Sequence, residues 1–351
     1  MRKIGSFFTG GNMNGKIICG YRILGILGKG GQGTVYLAEH EVLHRKYALK
    51  YAYGAEREQL KQEADIMKEL TDRRIPFLVD QIEEDNVSVL VMEYVEGVSL
   101  KEYLQNNVPL EEDEALELLH QITEIVAYLH QQKGIVAHRD LKPANFVMAK
   151  DGSLHLLDFG TALTGMESLH CRDLCGTPGY ATPEQMCGAR SGTEADVYAL
   201  GAVYAYLLTG IDPALPPFHP PVPEECTEKV SKESRRLLRK TLDPAPEMRL
   251  QDATCLLREI ETVQKRKKHL PARMESMAYQ TVLITDVILA TVLVGLRYRE
   301  RPLEYAEWVC GGITILLFFW YLLRSILGPG ERFVITREWN VTYTAKERWG
   351  L

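Results

Sequence analysis

The sequence predicts an α+β chain in two lobes, a small β-rich lobe followed by a larger helical one, and three observations predict it. From Tyr21 to Lys50, short β-rich runs are broken by glycines, the pattern of a twisted antiparallel sheet. Beyond residue 96 the apolar residues recur at helical intervals, most clearly from Leu110 to Gln131. The strands precede the helices rather than alternating with them, and 351 residues provide ample core for such a body.

Taken in order, residues 1–19 are rich in Gly and Asn and read as a flexible leader. Residues 20–95 form the small lobe, with a helix from Glu56 to Leu70 and a buried strand from Val87 to Tyr94. Residues 96–264 form the helical lobe, whose Leu110–Gln131 helix opens on an acidic first turn that suits the positive end of a helix dipole. Near residue 265 the composition changes. Residues 265–276 are a basic linker, and the apolar stretches 277–296 and 305–323 are each long enough to cross about 30 Å of hydrocarbon at ~1.5 Å per residue.

Asp286 lies inside the first stretch, where a carboxylate costs roughly 2.5–3.5 kcal/mol on insertion scales. Tyr279, Tyr298, Tyr305 and Trp308 fall near the ends, at the depth aromatic rings favour. A short link from Arg297 to Glu304 makes a transmembrane helical hairpin and leaves residues 324–351 as a tail. Five Lys and Arg precede the first span, three lie in the link and five follow the second. That distribution favours a two-pass protein of the cell membrane with the folded domain on the cytoplasmic side. The linker cluster Lys265-Arg266-Lys267-Lys268 also suits anionic lipid headgroups.

A net charge of −6 argues against a general nucleic-acid binder. Seven cysteines without metal-ligand spacing read as reduced thiols. Cys171 and Cys175, four apart, read as unrelated thiols before a redox pair. No long apolar run follows the basic N-terminal residues, so no secretory signal peptide is expected.

The chemistry concentrates in His138-Arg139-Asp140-Leu141-Lys142-Pro143-Ala144-Asn145, followed thirteen residues after Asn145 by Asp158-Phe159-Gly160. These supply a carboxylate able to hold a hydroxyl proton, a lysine, an amide and a second carboxylate. Such groups can steer a magnesium-bound triphosphate toward an incoming hydroxyl. Upstream, Gly28-Lys29-Gly30-Gly31-Gln32-Gly33-Thr34-Val35 is a glycine-rich turn between strands, where backbone N–H groups can approach phosphates. Alone, a hairpin turn would explain it equally well.

The order and spacing resemble the eukaryotic-type (Hanks-type) protein kinases over about residues 20–262, and the nearest likeness is to membrane-tethered bacterial serine/threonine kinases. The resemblance implies ATP with Mg²⁺ or Mn²⁺, and protein Ser/Thr hydroxyls as acceptors. It implies that Gly28, Gly30, Gly33, Val35 and Ala48 line the nucleotide, with Met92 behind the adenine and the backbone of Glu93 to Val95 at its edge. Lys50 then neutralises the α- and β-phosphates. Glu63 is its expected acidic partner, with Glu58 the alternative. Asp140 orients the hydroxyl proton, Lys142 meets the γ-phosphate, and Asn145 and Asp158 hold the metal.

By the same resemblance His138 is structural, stacking with Phe159 and Met67, and Asp196 anchors the catalytic loop. Glu184 pairs with Arg249 as a buried tie. Gly176 to Tyr180 and Thr182-Pro183-Glu184 match the substrate-docking loop and the end of the activation segment, with Thr182 in place of the family's usual alanine.

Arg139 ahead of Asp140 is the combination associated with activation-loop phosphorylation, with Thr161, Thr164, Ser168 and Thr177 as candidates. Thr177 is alternatively a fixed contact to Asp140 and Lys142. Autophosphorylation in trans would call for a dimer. A membrane-bound pseudokinase scaffold is the competing expectation, but its signature is loss of Lys50, Asp140, Asn145 or Asp158, and all four are present. A small-molecule phosphotransferase is disfavoured by Lys142 and the 176–184 segment.

Overall fold

A computed structural model describes residues 13–30, 33–84, 87–164, 176–221 and 230–267. The chain divides into two units, Met1–Lys267 and Lys268–Leu351, and every described residue belongs to the first. Among the described residues no helix is long and apolar enough to cross a membrane. Both apolar stretches of the sequence, with Asp286, lie outside the described residues, as do Ser168, Cys171 and Cys175.

The first lobe is a six-stranded antiparallel sheet of β1 (Ile17–Ile18), β2 (Tyr21–Gly30), β3 (Gly33–His40), β4 (Lys46–Tyr53), β5 (Leu78–Glu84) and β6 (Val87–Glu93), in the order β1-β2-β3-β4-β6-β5. Strand periodicity divides its side chains between two cores. On one face Ile23, Tyr36, Leu49, Val89 and Val91 form a cluster of their own. On the other, Ala48, Ala52, Leu90 and Met92 join the main core beneath α1 (Glu56–Glu69). Because β6 is covered on both faces, it is buried from Val87 to Met92 and apolar there except at Ser88.

The leader expected to be loose through residue 19 needs correction at its end. Met13 and Ile18 are buried in the upper cluster, and Ile17 pairs with Arg22 across a turn at positive-φ Gly20. The apolar Ile17-Ile18 pair has a core to join, so this part of the segment is ordered as β1.

The second lobe is built on α3 (Glu112–His130) and α5 (Thr193–Thr209), with α2 (Leu100–Asn107), the short α4 (Pro183–Met186), α6 (Lys232–Thr241) and a helix over residues 253–267 around them. All of α5 from Ala195 to Leu208 is buried, which is why it is apolar on every face rather than amphipathic. It ends at Gly210 in the left-handed conformation. Short strands β7 (Gly97–Ser99), β9 (Phe146–Ala149) and β10 (Leu154–Leu156) form one small sheet, and β8 (Ile135–Ala137) and β11 (Leu163–Thr164) another. These hold the loops that carry the catalytic motifs between the lobes.

Candidate active site

Alternation along β4 sends Lys50 to the same face as Ala48 and Ala52, toward α1. On α1 the buried positions Leu60, Glu63, Ala64 and Met67 recur at helical spacing, so Glu63 is the acid of that helix turned inward while Glu58 stays exposed. Lys50 Nζ donates to Glu63 Oε2 at 2.6 Å and to Asp158 Oδ1 at 2.8 Å. Burial works against the Lys50 charge, but the two carboxylates prevail and hold its ammonium above the usual lysine range. Burial likewise opposes ionisation of Asp158, yet Lys50 and the Gly160 N–H hold that carboxyl below its ordinary range. For Glu63, complete burial wins and pushes the carboxyl upward against the pull of Lys50.

The catalytic loop leaves β8 and closes with a single 3₁₀ turn over Pro143–Asn145. Its shape is fixed from below by Asp196 of α5, which is fully buried. Asp196 accepts from the backbone N–H groups of His138 at 2.7 Å and Arg139 at 2.8 Å, and from His130 Nε2 at 2.9 Å. Burial opposes the Asp196 charge, but His130 and the other donors outweigh it and keep the carboxyl below the usual range. Arg139 adopts φ 68°, a left-handed turn that only such fixed neighbours maintain in a long-chain residue. His138 Nε2 donates to the Asp158 carbonyl at 2.5 Å, and its ring lies 5.7 Å from that of Phe159. The Asp158-Phe159-Gly160 turn is thereby tied to the catalytic loop, and Gln59 of α1 adds a 2.5 Å bond to Gly160 O.

Above this frame three side chains meet. Lys142 Nζ donates to Asp140 Oδ2 at 2.7 Å and to Thr177 Oγ1 at 2.7 Å, and the Thr177 hydroxyl donates to Asp140 Oδ1 at 2.7 Å. Thr177 therefore sits as a fixed contact of Asp140 and Lys142, and a phosphate on it would stand against the Asp140 carboxylate. Asn145 Nδ2 donates to Asp140 O at 2.8 Å, which turns its carbonyl oxygen outward. Thr161 donates to His138 O, and its own carbonyl accepts from Arg139 Nε. Thr164 is the last residue of β11.

The docking segment rests on a second buried ion pair. Arg249 gives Nη1 to Glu184 Oε1 at 2.6 Å and Nη2 to Glu184 Oε2 at 2.9 Å. It also donates to the carbonyls of Asp243 and Pro244 and lies 5.0 Å over the Tyr198 ring. Thr182 caps α4 in a reciprocal box with Gln185, whose amide reaches Arg139 O at 2.9 Å. Gly176 takes φ 94° with Arg139 O close by, where a side chain would not fit.

For the nucleotide, Val35 pairs with Lys50 and Ala48 with Met92 across the sheet, while Gly28 and Gly30 face Val35 and Gly33 in the β2–β3 hairpin. The β4–β6 ladder ends at Tyr47–Glu93, so the backbone leading to Val95 leaves the sheet beside buried Met92. The oxygens present suit a hard divalent cation. Asn145 has its amide nitrogen engaged, and Asp158 meets Lys50 and Gly160 through Oδ1, leaving Oδ2. Two protein oxygens alone make a weak site, as expected of a cation that arrives with phosphates.

Sequence reasoning missed His130, Gln59 and Gln185. His130 accepts the Ala253 N–H at Nδ1, so its Nε2 carries the proton given to Asp196. The spacing of motifs held no signal for His130, Gln59 or the reach of Gln185 to Arg139, because each of these contacts joins residues far apart in the chain.

The sequence matches the family described as Protein kinase domain over residues 21–264. It is 40% identical over 205 residues to the serine/threonine-protein kinase PrkC of Bacillus subtilis (strain 168), covering 56% of this chain and 31% of that protein. It is 34% identical over 199 residues to the probable serine/threonine-protein kinase PknB of Lactococcus lactis subsp. lactis (strain IL1403), covering 54% and 31%. Maternal embryonic leucine zipper kinase of Xenopus tropicalis is 36% identical over 200 residues, covering 55% and 30%. The matched segment thus spans about a third of these relatives' length. With its cleft, loop and ion pairs so arranged, the chain belongs to the protein kinase domain family.

Proposed function

We propose that the chain is an ATP-dependent serine/threonine protein kinase. The observation that carries this reading is the Asp140–Lys142–Thr177 cluster set beside Asp158 and Lys50. Asp140, held by two hydrogen bonds, orients the acceptor hydroxyl and takes its proton as that oxygen bonds to the γ-phosphorus and the bond from the γ-phosphorus to the departing ADP oxygen breaks. Lys142 lies where charge builds on the transferred group and neutralises it, and Lys50 does the same for the α- and β-phosphates. Asn145 Oδ1 and Asp158 Oδ2 would hold Mg²⁺ or Mn²⁺, which would supply screening of the phosphate charge. In such a loose transition state positioning matters more than base strength. The fixed catalytic loop and the satisfied Asp140 fit that demand.

Lys142 and the 176–184 docking segment favour protein hydroxyls as acceptors. The two apolar stretches after residue 276, with the basic cluster before them, support a two-pass anchor in the cell membrane, a cytoplasmic catalytic domain and contact with anionic lipids. Arg139 beside Thr161 supports control by autophosphorylation in the segment 161–177, in trans between two copies.

Incubating the purified full chain with labelled ATP, magnesium and a protein acceptor is expected to give phosphoserine or phosphothreonine. Asp140→Asn is expected to lower the rate by about 10²–10⁴, the usual share of a positioned base. Equal labelling by both proteins would reject the assignment.

A further inference from the structure

A pocket of about 240 Å³ opens at the amino end of α1, and none of its walls belongs to the cleft described above. Its floor includes Ser88 of β6, which pairs with Ala52 of β4 and Glu83 of β5 and faces the same side as Leu90 and Met92. Ser88 is 1% exposed, and its hydroxyl has no hydrogen-bond partner. A buried hydroxyl in that condition is uncommon and asks for a ligand or an ordered water.

The helix end above it is also incomplete. Ala55 offers α1 no side-chain cap, and the Arg57 N–H reaches Gly54 O only at a long 3.4 Å. The first-turn N–H groups and the helix dipole thus present partial positive charge to the pocket. Arg57 and Lys61, one turn apart, add two cations to the same wall. Two carboxylates, Glu58 and Glu83, complete the lining, and Glu83 already accepts from the Gln81 amide.

We propose that this pocket binds a phosphate group that retains a hydroxyl. Cations, helix N–H groups and the Ser88 hydroxyl suit its charged oxygens. Glu58 and Glu83 would repel a bare anion but can accept from a P–O–H. Phosphate carries that donor and sulfate does not, so the mixed lining is a selectivity device. Because α1 also carries Glu63, occupation would steady the helix that holds Lys50. That consequence rests on the kinase reading, whereas the binding itself does not.

The test is calorimetric titration of the full chain, without ATP, with inorganic phosphate, O-phosphoserine and sulfate at constant ionic strength. Saturable phosphate binding is expected, with sulfate weaker by about tenfold, and O-phosphoserine, whose phosphoryl group keeps its P–O–H only near and below pH about 6, should bind more weakly at pH about 8 than at pH about 6. The stronger of the first two tells whether a free anion or a phosphorylated side chain is preferred. Lys61→Gln and Ser88→Ala, at an exposed and an unpartnered position, should each weaken binding by about tenfold without loss of thermal stability. Equal binding of phosphate and sulfate, non-saturating heats, or unchanged affinity in both variants would overturn the proposal. In the kinase assay phosphate should lower KM for ATP in the native chain and not in Lys61→Gln. Saturable binding with an unmoved KM would overturn the coupling to α1 alone.

Discussion

Two buried ion pairs, one in each lobe, are built for opposite purposes. Arg249 meets Glu184 through both terminal guanidinium nitrogens, gives two further N–H groups to carbonyls and stacks on Tyr198. It is planar and held by four of its five donors, the use for which a guanidinium is suited. Lys50 is a rotatable point charge shared between Glu63 on a helix and Asp158 on a loop, and Glu63 Oε1 is left without a partner. The C-lobe pair is a brace. The N-lobe pair joins a strand, a helix and a loop through one ammonium, and it leaves Glu63 Oε1 and Asp158 Oδ2 as polar capacity. Burial and opposite charge alone do not distinguish them; the count of satisfied donors does.

That contrast is sharpest in a pair of substitutions. Lys50→Met should lower phosphotransfer by roughly 10²–10³, the effect of removing one preorganised electrostatic donor. Its denaturation midpoint should shift less than that of Arg249→Met, because burial already raises the Glu63 carboxyl and so lessens the cost of leaving it unpaired. Arg249→Met should do the reverse in kind, lowering unfolding free energy by about 3–5 kcal/mol because Glu184 is left buried and unpaired. Chemical denaturation and initial-rate assays on both variants would collapse the distinction if the two showed the same profile.

Acid offers a milder probe. Glu184 and Asp196 have folded-state carboxyls below their ordinary range, since hydrogen bonds and neighbouring charges outweigh burial. The unfolded chain therefore binds protons more readily, at ordinary carboxyl values of about 4. Their stabilisation is complete above that value and is lost as pH falls through the folded values. Denaturant midpoints should fall between neutral pH and pH about 3, and Arg249→Met should fall less steeply because the Glu184 share is already gone. Least of all, Thr182→Ala should cost about 1 kcal/mol by uncapping α4, with Thr182→Ser close to native and transfer rates nearly equal in a calorimetric and kinetic comparison.

The residues legible in the sequence were those whose chemistry requires neighbours along the chain. The run from His138 to Asn145 and the Asp158 turn are each contiguous, and the family position put Glu63 ahead of Glu58 while leaving Glu58 as the alternative. Thr182 was read as a departure and not as a cap, although Thr182-Pro183-Glu184-Gln185 has the spacing of a capping box. His130, Gln59 and Ser88 were not legible. Their roles depend on which backbone or void lies opposite after folding, and composition carries no trace of it. The ordering of residues 13–19 was hidden for the same reason, since Ile18 is apolar in a polar leader until the sheet supplies it a core.

One aspartate holds the catalytic loop from beneath, through three donors, on a helix enclosed throughout its length. The entropy of arranging that loop is therefore surrendered when the chain folds, before any nucleotide is met. Each encounter finds the floor of the cleft already set. The roof is held more sparely, by the one ammonium of Lys50 between Glu63 and Asp158.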